Sequence, residues 1–351
     1  MTSPATDFAT RIVAWQRMHG RHDLPWQNTR DPYRIWLSEI MLQQTQVTAV
    51  VPYYTRFLAT FPEVSALAHA PLERVLEHWS GLGYYRRAHY LHAAAVAVMD
   101  QHNGAFPRDA NALNTLPGIG RSTAAAIAVF VAGERAAILD GNVKRVLARH
   151  AGVAGWPGAP KVEAALWNIA EQRLPPADVE AYTQGLMDLG ATVCTRSSPT
   201  CGACPVAIDC VARRDGRVAQ LPEARSRKPL PQREIRLLLL ERDGEFLFEK
   251  RAPLGIWGGL WSLPECAVSA DADAESFARF GAQVEATTAL PPIEHGFTHF
   301  ALTMHPQWMR VTQWPPGVAS AQTQWLTPVQ ALTAALPAPI KTLMRALIKI
   351  A

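Results

Sequence analysis

The chain has 351 residues, a hydrophobic fraction of 48% and a formal net charge of +4. That length exceeds one ordinary domain, so two cores joined by a linker are expected, and the mild positive charge permits a nucleic-acid partner without requiring one. No apolar run is long enough to span a bilayer, and the opening MTSPATDFATR lacks the apolar stretch of a secretory signal. An intracellular chain without a membrane partner is expected, in the cytoplasm or nucleoid if the source is bacterial.

From Asp7 to about Asp215 Ala, Leu and Val recur at three- and four-residue spacing with Pro or Gly at the breaks, the pattern of an all-α domain. Asp31-Pro32 reads as an N-cap followed by proline in the first turn. It opens a helix expected to run through Trp36, Ile40 and Val47, with Glu39 near its start and Leu42 and Gln44 on the same helix. Leu116-Pro117-Gly118-Ile119-Gly120 separates two helical segments. Its glycines allow a tight turn whose N–H groups face a phosphate, although the same pentapeptide also serves as a plain helix–helix connection. One helix later, Asp140-Gly141-Asn142 opens the periodic segment VKRVLARH, for which Asp140 is an N-cap.

Four of the five cysteines fall in one short segment, Cys194-x6-Cys201-x2-Cys204-x5-Cys210. The spacing suits four thiolates around one centre in a reducing compartment rather than dispersed disulfides. Zinc is the rival ligand, but zinc ribbons carry two short cysteine pairs and this segment has one. Arg196, Arg213 and Arg214 surround the segment and suit phosphates, while Cys266 stands apart as a small apolar residue.

Residues 216–233 lose periodicity and combine three prolines with several basic residues, which reads as a linker. Beyond it IRLLLLE and EFLFEKR flank Asp243-Gly244, a tight-hairpin signal. Strand-like stretches follow around His299–Met304 and Trp308–Val311, and a helical pattern runs from Pro339 to Ile350. This gives a second, α+β domain.

The pairing of LPGIG with a downstream Asp resembles the helix-hairpin-helix, Gly/Pro-Asp superfamily of DNA glycosylases. The stretch Trp36-Leu-Ser-Glu-Ile-Met-Leu-Gln-Gln-Thr-Gln-Val47 resembles the signature of its MutY branch, the adenine DNA glycosylases. The resemblance implies a multidomain protein. Residues 1–215 form an all-α catalytic domain, with the helix-hairpin-helix at about 109–133 and a cluster loop at 194–210. Residues 216–233 are the linker and 234–351 a Nudix-like α+β domain that reads the lesion. It implies hydrolysis of the bond between deoxyribose and adenine mispaired with 8-oxoguanine or guanine in double-stranded DNA, by a monomer.

By the same resemblance Glu39 is the general acid, Asp140 the carboxylate that stabilises the oxocarbenium ion, and Asn142 a residue close to the sugar. Trp26, Gln184 and Ser122 belong to the adenine pocket. Leu42, Gln44, Thr45, Tyr84 and the hairpin residues Leu116, Gly118 and Gly120 contact DNA. Cys194, Cys201, Cys204 and Cys210 hold a 4Fe-4S cluster. Glu39 must carry a proton near neutral pH, which burial arranges by raising its pKa, whereas Asp140 must stay ionised.

Endonuclease III-like members, which also cut the strand, carry lysine at position 122. Ser122 cannot form a Schiff base, so strong lyase activity is not expected. Lys144 is read as a solvated helix residue. His22 departs from the Arg or Lys of some relatives and receives no role. A bifunctional endonuclease III-like enzyme and a noncatalytic iron–sulfur DNA-binding protein are the alternatives.

The stretch Leu254-Gly-Ile-Trp-Gly-Gly-Leu-Trp-Ser-Leu-Pro264 resembles the start of a Nudix-like domain. The following ECAVSADADAESFARFG lacks the paired glutamates that bind magnesium, so pyrophosphate hydrolysis is not expected. Phe297-Thr298-His299 matches a Phe-Ser-His loop that contacts oxidised guanine in relatives, with Thr in place of Ser. His295 and His299 lack the further ligands a metal needs.

Overall fold

The computed structural model describes residues 4–225, 229–253, 255–315 and 322–350; Leu254 of the Nudix-like motif and residues 226–228 of the linker lie outside them. Two compact units are formed, Met1–His69 with Tyr90–Arg227, and Ala70–His89 with Lys228–Ala351. The sequence places 70–89 in the helical domain, but the structure groups it with the C-terminal sheet. Glu73 there accepts from Lys250 Nζ (2.7 Å) and from the Trp261 indole, and Ser80 and Tyr85 donate to Leu336 O at 2.9 and 3.2 Å.

The helices in chain order are α1 (Pro4–His19), α2 (Pro32–Leu42), α3 (Val47–Thr60), α4 (Val64–His69), α5 (Leu72–Trp79, second unit), α6 (Arg86–His102), α7 (Ala110–Leu113), α8 (Arg121–Ala132), α9 (Gly141–Ala151), α10 (Pro160–Gln172), α11 (Val179–Asp188) and α12 (Val211–Arg214). Local chemistry sets their ends. Asp31 Oδ1 accepts from Tyr33 N at 2.9 Å with Pro32 in the first turn of α2, and Asp140 Oδ1 accepts from Val143 N at 2.7 Å at the start of α9.

Phe8 and Ile12 of α1, Val129 of α8, Leu147 of α9, Leu166 of α10 and Leu186 of α11 share one core. Each such buried aliphatic side chain contributes roughly 1.5–3 kcal/mol. A Cβ on Gly185 would stand 2.8 Å from Ile12 Cγ2, so a glycine there lets α1 and α11 pack closely.

Helix α2 is shorter than the sequence suggests. It stops at Leu42, so Glu39 lies near its C-terminal end, Gln44 is off the helix and Val47 opens α3. Gln43 leaves helical geometry (ψ 111°), Gln44 is left-handed (φ 58°) and Thr45 N closes the turn on Leu42 O at 3.2 Å. The apolar rhythm runs on because α2 and α3 pack together, and a turn made by glutamines carries no Gly or Pro signal.

The second unit holds an eight-stranded sheet, with a path β3-β2-β1-β7-β5 and with β4 on β1, β6 on β7 and β8 on β2. The strands are β1 (Gln232–Arg242), β2 (Glu245–Lys250), β3 (Trp261–Ser262), β4 (Glu265–Cys266), β5 (Gln283–Ala289), β6 (Ile293–Gly296), β7 (Ala301–Gln313) and β8 (Thr323–Leu326). The β1–β7 pairing is parallel and all others antiparallel. The hairpin falls at Asp243-Gly244, with Arg242 opposite Glu245 and both turn residues at positive φ (54° and 81°). The two strand-like stretches after residue 299 are one long strand, β7. Leu238 and Leu240 of β1 pack with Met309 and Val311 of β7 and Phe280 of helix α13 (Ala272–Phe280); α14 (Pro328–Ala331) and α15 (Ala338–Ile350) close the unit.

Candidate active site

In the helical unit a pocket of about 820 Å³, within the usual range for a small-molecule site, is lined by residues of α2, the 21–30 loop and α11. Trp26, Glu39, Leu42 and Gln184 are on its wall, as are Arg21 and His22. Trp26 is buried and meets the Tyr54 ring edge-on at 5.4 Å, which fixes a flat face on the wall. His22 Nε2 lies 3.1 Å from Gln16 O.

Glu39 lies on the pocket wall, as do Asp178 and Glu180. Enclosure by protein pushes the Glu39 pKa up to about 8, and the neighbouring charge of Asp140 adds to the effect. Asp140, at the N-terminus of α9, does not itself line the pocket, but its charge acts on Glu39. Burial raises the Asp140 pKa as well. The N–H groups of Val143 and Asn142 and the cations Arg145 and Lys144 oppose that rise and favour its carboxylate. Burial and a like charge both act to keep Glu39 protonated, whereas Asp140 also meets helix N–H groups that favour its anion.

Asn142 is held away from simple solvation, because its Oδ1 accepts from Arg145 Nη2 at 2.8 Å and a Cβ on Gly190 would lie 2.6 Å from its Cβ. Ser122 does not line the pocket. Its hydroxyl accepts from Leu139 N at 2.9 Å and so anchors the backbone entering Asp140. Lys144 is half-buried and donates to Glu163 Oε1 at 2.6 Å, rather than standing free in solvent.

The hairpin joins α7 to α8. Gly118 is left-handed (φ 76°), and a Cβ there would stand 2.6 Å from Tyr90 Cβ, so glycine is required twice over. Gly120 is the N-cap of α8 and faces open space, which leaves the helix N-terminus approachable. Leu116 differs from its expected role, since its side chain is buried in the core and only its backbone remains to meet DNA.

Cys194, Cys201, Cys204 and Cys210 line one small cavity with Arg149, His150, Leu189 and Arg213. Burial, and after it the charges of neighbouring cysteines, raises the thiol pKa of Cys210 and pushes that of Cys204 up to about 11. Arg149 is buried and clamps the segment, donating to Thr195 O (2.6 Å), Leu221 O (2.8 Å), Arg196 O (3.1 Å) and Cys194 Sγ (3.3 Å). Arg145 donates to Cys194 O at 2.8 Å and Gly190 O at 2.7 Å. A single helix, α9, therefore carries Asp140 at one end and braces the cysteine loop along its length.

Residues 37–172 match the family model described as HhH-GPD superfamily base excision DNA repair protein, and residues 236–346 match a NUDIX domain. The adenine DNA glycosylase of Buchnera aphidicola subsp. Baizongia pistaciae is 33% identical over 334 residues, 95% of this chain and 94% of that one. That of Buchnera aphidicola subsp. Acyrthosiphon pisum is 38% identical over 258 residues, 74% of each chain. This chain belongs to the adenine DNA glycosylases. A solved thermostable thymine-DNA glycosylase is similar over 60% of this chain and 97% of its own, at 30% identity and a TM-score of 0.55. The glycosylase is thus a base-excision-repair enzyme, a hydrolase of the N-glycosidic bond. Among the described residues no helix is long and apolar enough to cross a membrane.

Elsewhere in the glycosylase, Gln44 is exposed and Thr45 half-buried in the turn after α2. Within the second unit Tyr84 is left-handed (φ 49°) and 52% exposed. Arg87 shapes its loop by donating to Gly83 O at 3.1 Å, as does the Trp79 indole at the same distance. Phe297 to Phe300 form the turn between β6 and β7, closed by Phe297 N on Phe300 O at 2.9 Å. Phe297 stacks on Phe300 (4.5 Å) and meets His295 edge-on (4.6 Å), while Thr298 and His299 are exposed. Sequence reasoning missed Arg21, Arg145, Arg149 and Asp188. For Arg145, Arg149 and Asp188 the available signal was a charged residue interrupting an apolar helical face; Arg21 lies in the loop after α1 and carries none.

Proposed function

We propose that the enzyme removes adenine paired with 8-oxoguanine or guanine from double-stranded DNA, acting as an intracellular monomer, with Glu39 as acid and Asp140 as the stabilising carboxylate. The observation that carries this reading is Glu39 on the wall of a pocket with room for a purine, where enclosure raises its pKa, together with Asp140 accepting from Val143 N–H at the N-terminus of α9. Glu39 gives its proton to N7 of the extruded base. The C1′–N9 bond breaks and its electrons stay with adenine, which leaves neutral. The Asp140 carboxylate stabilises the oxocarbenium ion, water adds at C1′, and the Glu39 carboxylate takes up the released proton. Trp26 and Gln184 hold the base. Leu42, Gln44, Thr45, Tyr84 and the hairpin N–H groups at Gly118 and Gly120 hold DNA, and Phe297, Thr298 and His299 read the oxidised partner.

Cys194, Cys201, Cys204 and Cys210 would hold a 4Fe-4S cluster, which supplies structural bracing rather than chemistry at the base. Two features support it: the four thiols line one cavity, and Arg149 donates to a ligand sulfur.

The test is a gel assay on a duplex with adenine opposite 8-oxoguanine. Breaks should form only after alkali, and Glu39→Gln and Asp140→Asn should each suppress them at least a hundredfold. Breaks without alkali would favour the lyase reading, and activity retained in either variant would end this one.

A further inference from the structure

Asp188 ends α11 with its side chain only 1% exposed, a burial that a charged group reaches only with partners. All of its side-chain partners are donors. Oδ1 accepts from Arg21 Nε (2.7 Å), Arg21 Nη2 (2.6 Å) and Gln184 Nε2 (2.9 Å), and Oδ2 accepts from the Arg21 backbone N–H (2.9 Å). The loop delivering Arg21 is tightly built, since a Cβ on Gly20 would lie 2.5 Å from Gln16 O and 3.1 Å from Asp188 Oδ2. On the other side Thr192 donates to Asp188 O at 2.8 Å, in the π-helical turn Leu189–Val193.

A carboxylate has no hydrogen to give, so it fixes the sense of the amide it touches. The NH2 end of Gln184 faces Asp188, and the carbonyl oxygen makes no hydrogen bond among the described residues. Gln184 and Arg21 both line the pocket. Arg21 makes the other three contacts to Asp188 and keeps its carboxylate from turning. On the adenine reading above, we propose that Asp188 is a specificity-determining positioning residue. By holding the NH2 of Gln184 it presents Gln184 Oε1 to the bound base as an acceptor, selecting a purine with an amino group at C6 over one with a carbonyl there.

The test measures single-turnover excision of adenine and of hypoxanthine, each opposite 8-oxoguanine, in the full chain. In Asp188→Ala the amide is free to turn, and the adenine-to-hypoxanthine rate ratio should fall about tenfold, the worth of one hydrogen bond made or lost. Asp188→Asn, nearly isosteric and spared a void, offers an NH2 as well as an oxygen and should lower the ratio by a smaller factor. In a Gln184→Leu background Asp188→Ala should change the ratio no further. An unchanged ratio in folded Asp188→Asn, equal losses on both bases, or an Asp188 effect that persists without Gln184 would each overturn the proposal. Failure of the wild-type chain to excise adenine would instead overturn the function reading, and this proposal with it.

Discussion

In the helical unit three ionisable groups are tied to particular partners away from bulk water. Asp140 rests on a helix N-terminus, Asp188 on Arg21 and Gln184, and Arg149 on the cysteine loop. In the second unit the Phe297–Phe300 turn is held by ring contacts and leaves Thr298 and His299 exposed. On the proposed function, the contrast follows the task assigned to each. Proton transfer requires set protonation states, and only a low-dielectric, hydrogen-bonded site sets them. Reading a base on a partner strand requires groups that are accessible and shaped, for which stacked rings suffice.

The largest expected effect concerns the pH dependence of the first region. On the proposed mechanism, with Glu39 protonated up to about pH 8, single-turnover excision should be level between the titration of Asp140 and that value and fall tenfold per unit above it. Asp140 must be ionised, so an acid limb should appear above the pH at which an exposed aspartate titrates. The linkage to stability has a definite sign. A carboxyl whose folded pKa is raised favours the fold below its unfolded pKa and loses that contribution as pH rises towards 8. Glu39→Gln, inactive, should therefore be more stable than wild type at pH 7, by on the order of 1–2 kcal/mol or a few degrees in Tm. A variant no more stable than wild type, with no basic limb near pH 8, would erase the distinction between the two regions.

A second variant sharpens the comparison from the structural side. Arg149→Leu keeps the bulk of the side chain but leaves the carbonyls of Thr195, Arg196 and Leu221 without their donor. Several unmade hydrogen bonds in a buried site should cost about 3–5 kcal/mol. Melting should drop by roughly ten degrees, and iron content should fall with it if the loop holds a cluster. A variant with unchanged Tm and full iron would show that the loop is braced elsewhere.

What the sequence disclosed depended on whether a signal was local. Asp31-Pro32, Asp140-Gly141 and Asp243-Gly244 each state their cap or turn within two residues, and all three form as read. The break after Leu42 was hidden, because packing between α2 and α3 continues the apolar rhythm across a turn of glutamines. Leu116 reads as part of a DNA-gripping motif, yet its side chain belongs to the core. Ser122 is 17 residues from its partner Leu139, and Arg21 lies 167 from Asp188. Links at such separations leave no trace in spacing and become visible only when the chain is folded. The grouping of residues 70–89 with the C-terminal sheet rests on equally distant bonds, such as Ser80 to Leu336.

The smallest expected effect tests the second region alone. Phe297 is the centre of the ring cluster, touching His295, Trp257 and Phe300 within 5.3 Å. Phe297→Leu keeps an apolar side chain but removes the stacking, worth about 0.5–1.5 kcal/mol. If the turn reads oxidised guanine, affinity for a duplex with 8-oxoguanine opposite adenine should fall about three- to tenfold, while affinity for the guanine mispair and the single-turnover rate at saturation stay within twofold. Rate measurements on both duplexes at saturating and limiting enzyme separate these quantities. A loss in the saturated rate would mean that the turn contributes to the chemical step, and an equal loss on both duplexes would mean that it binds DNA without distinguishing the lesion.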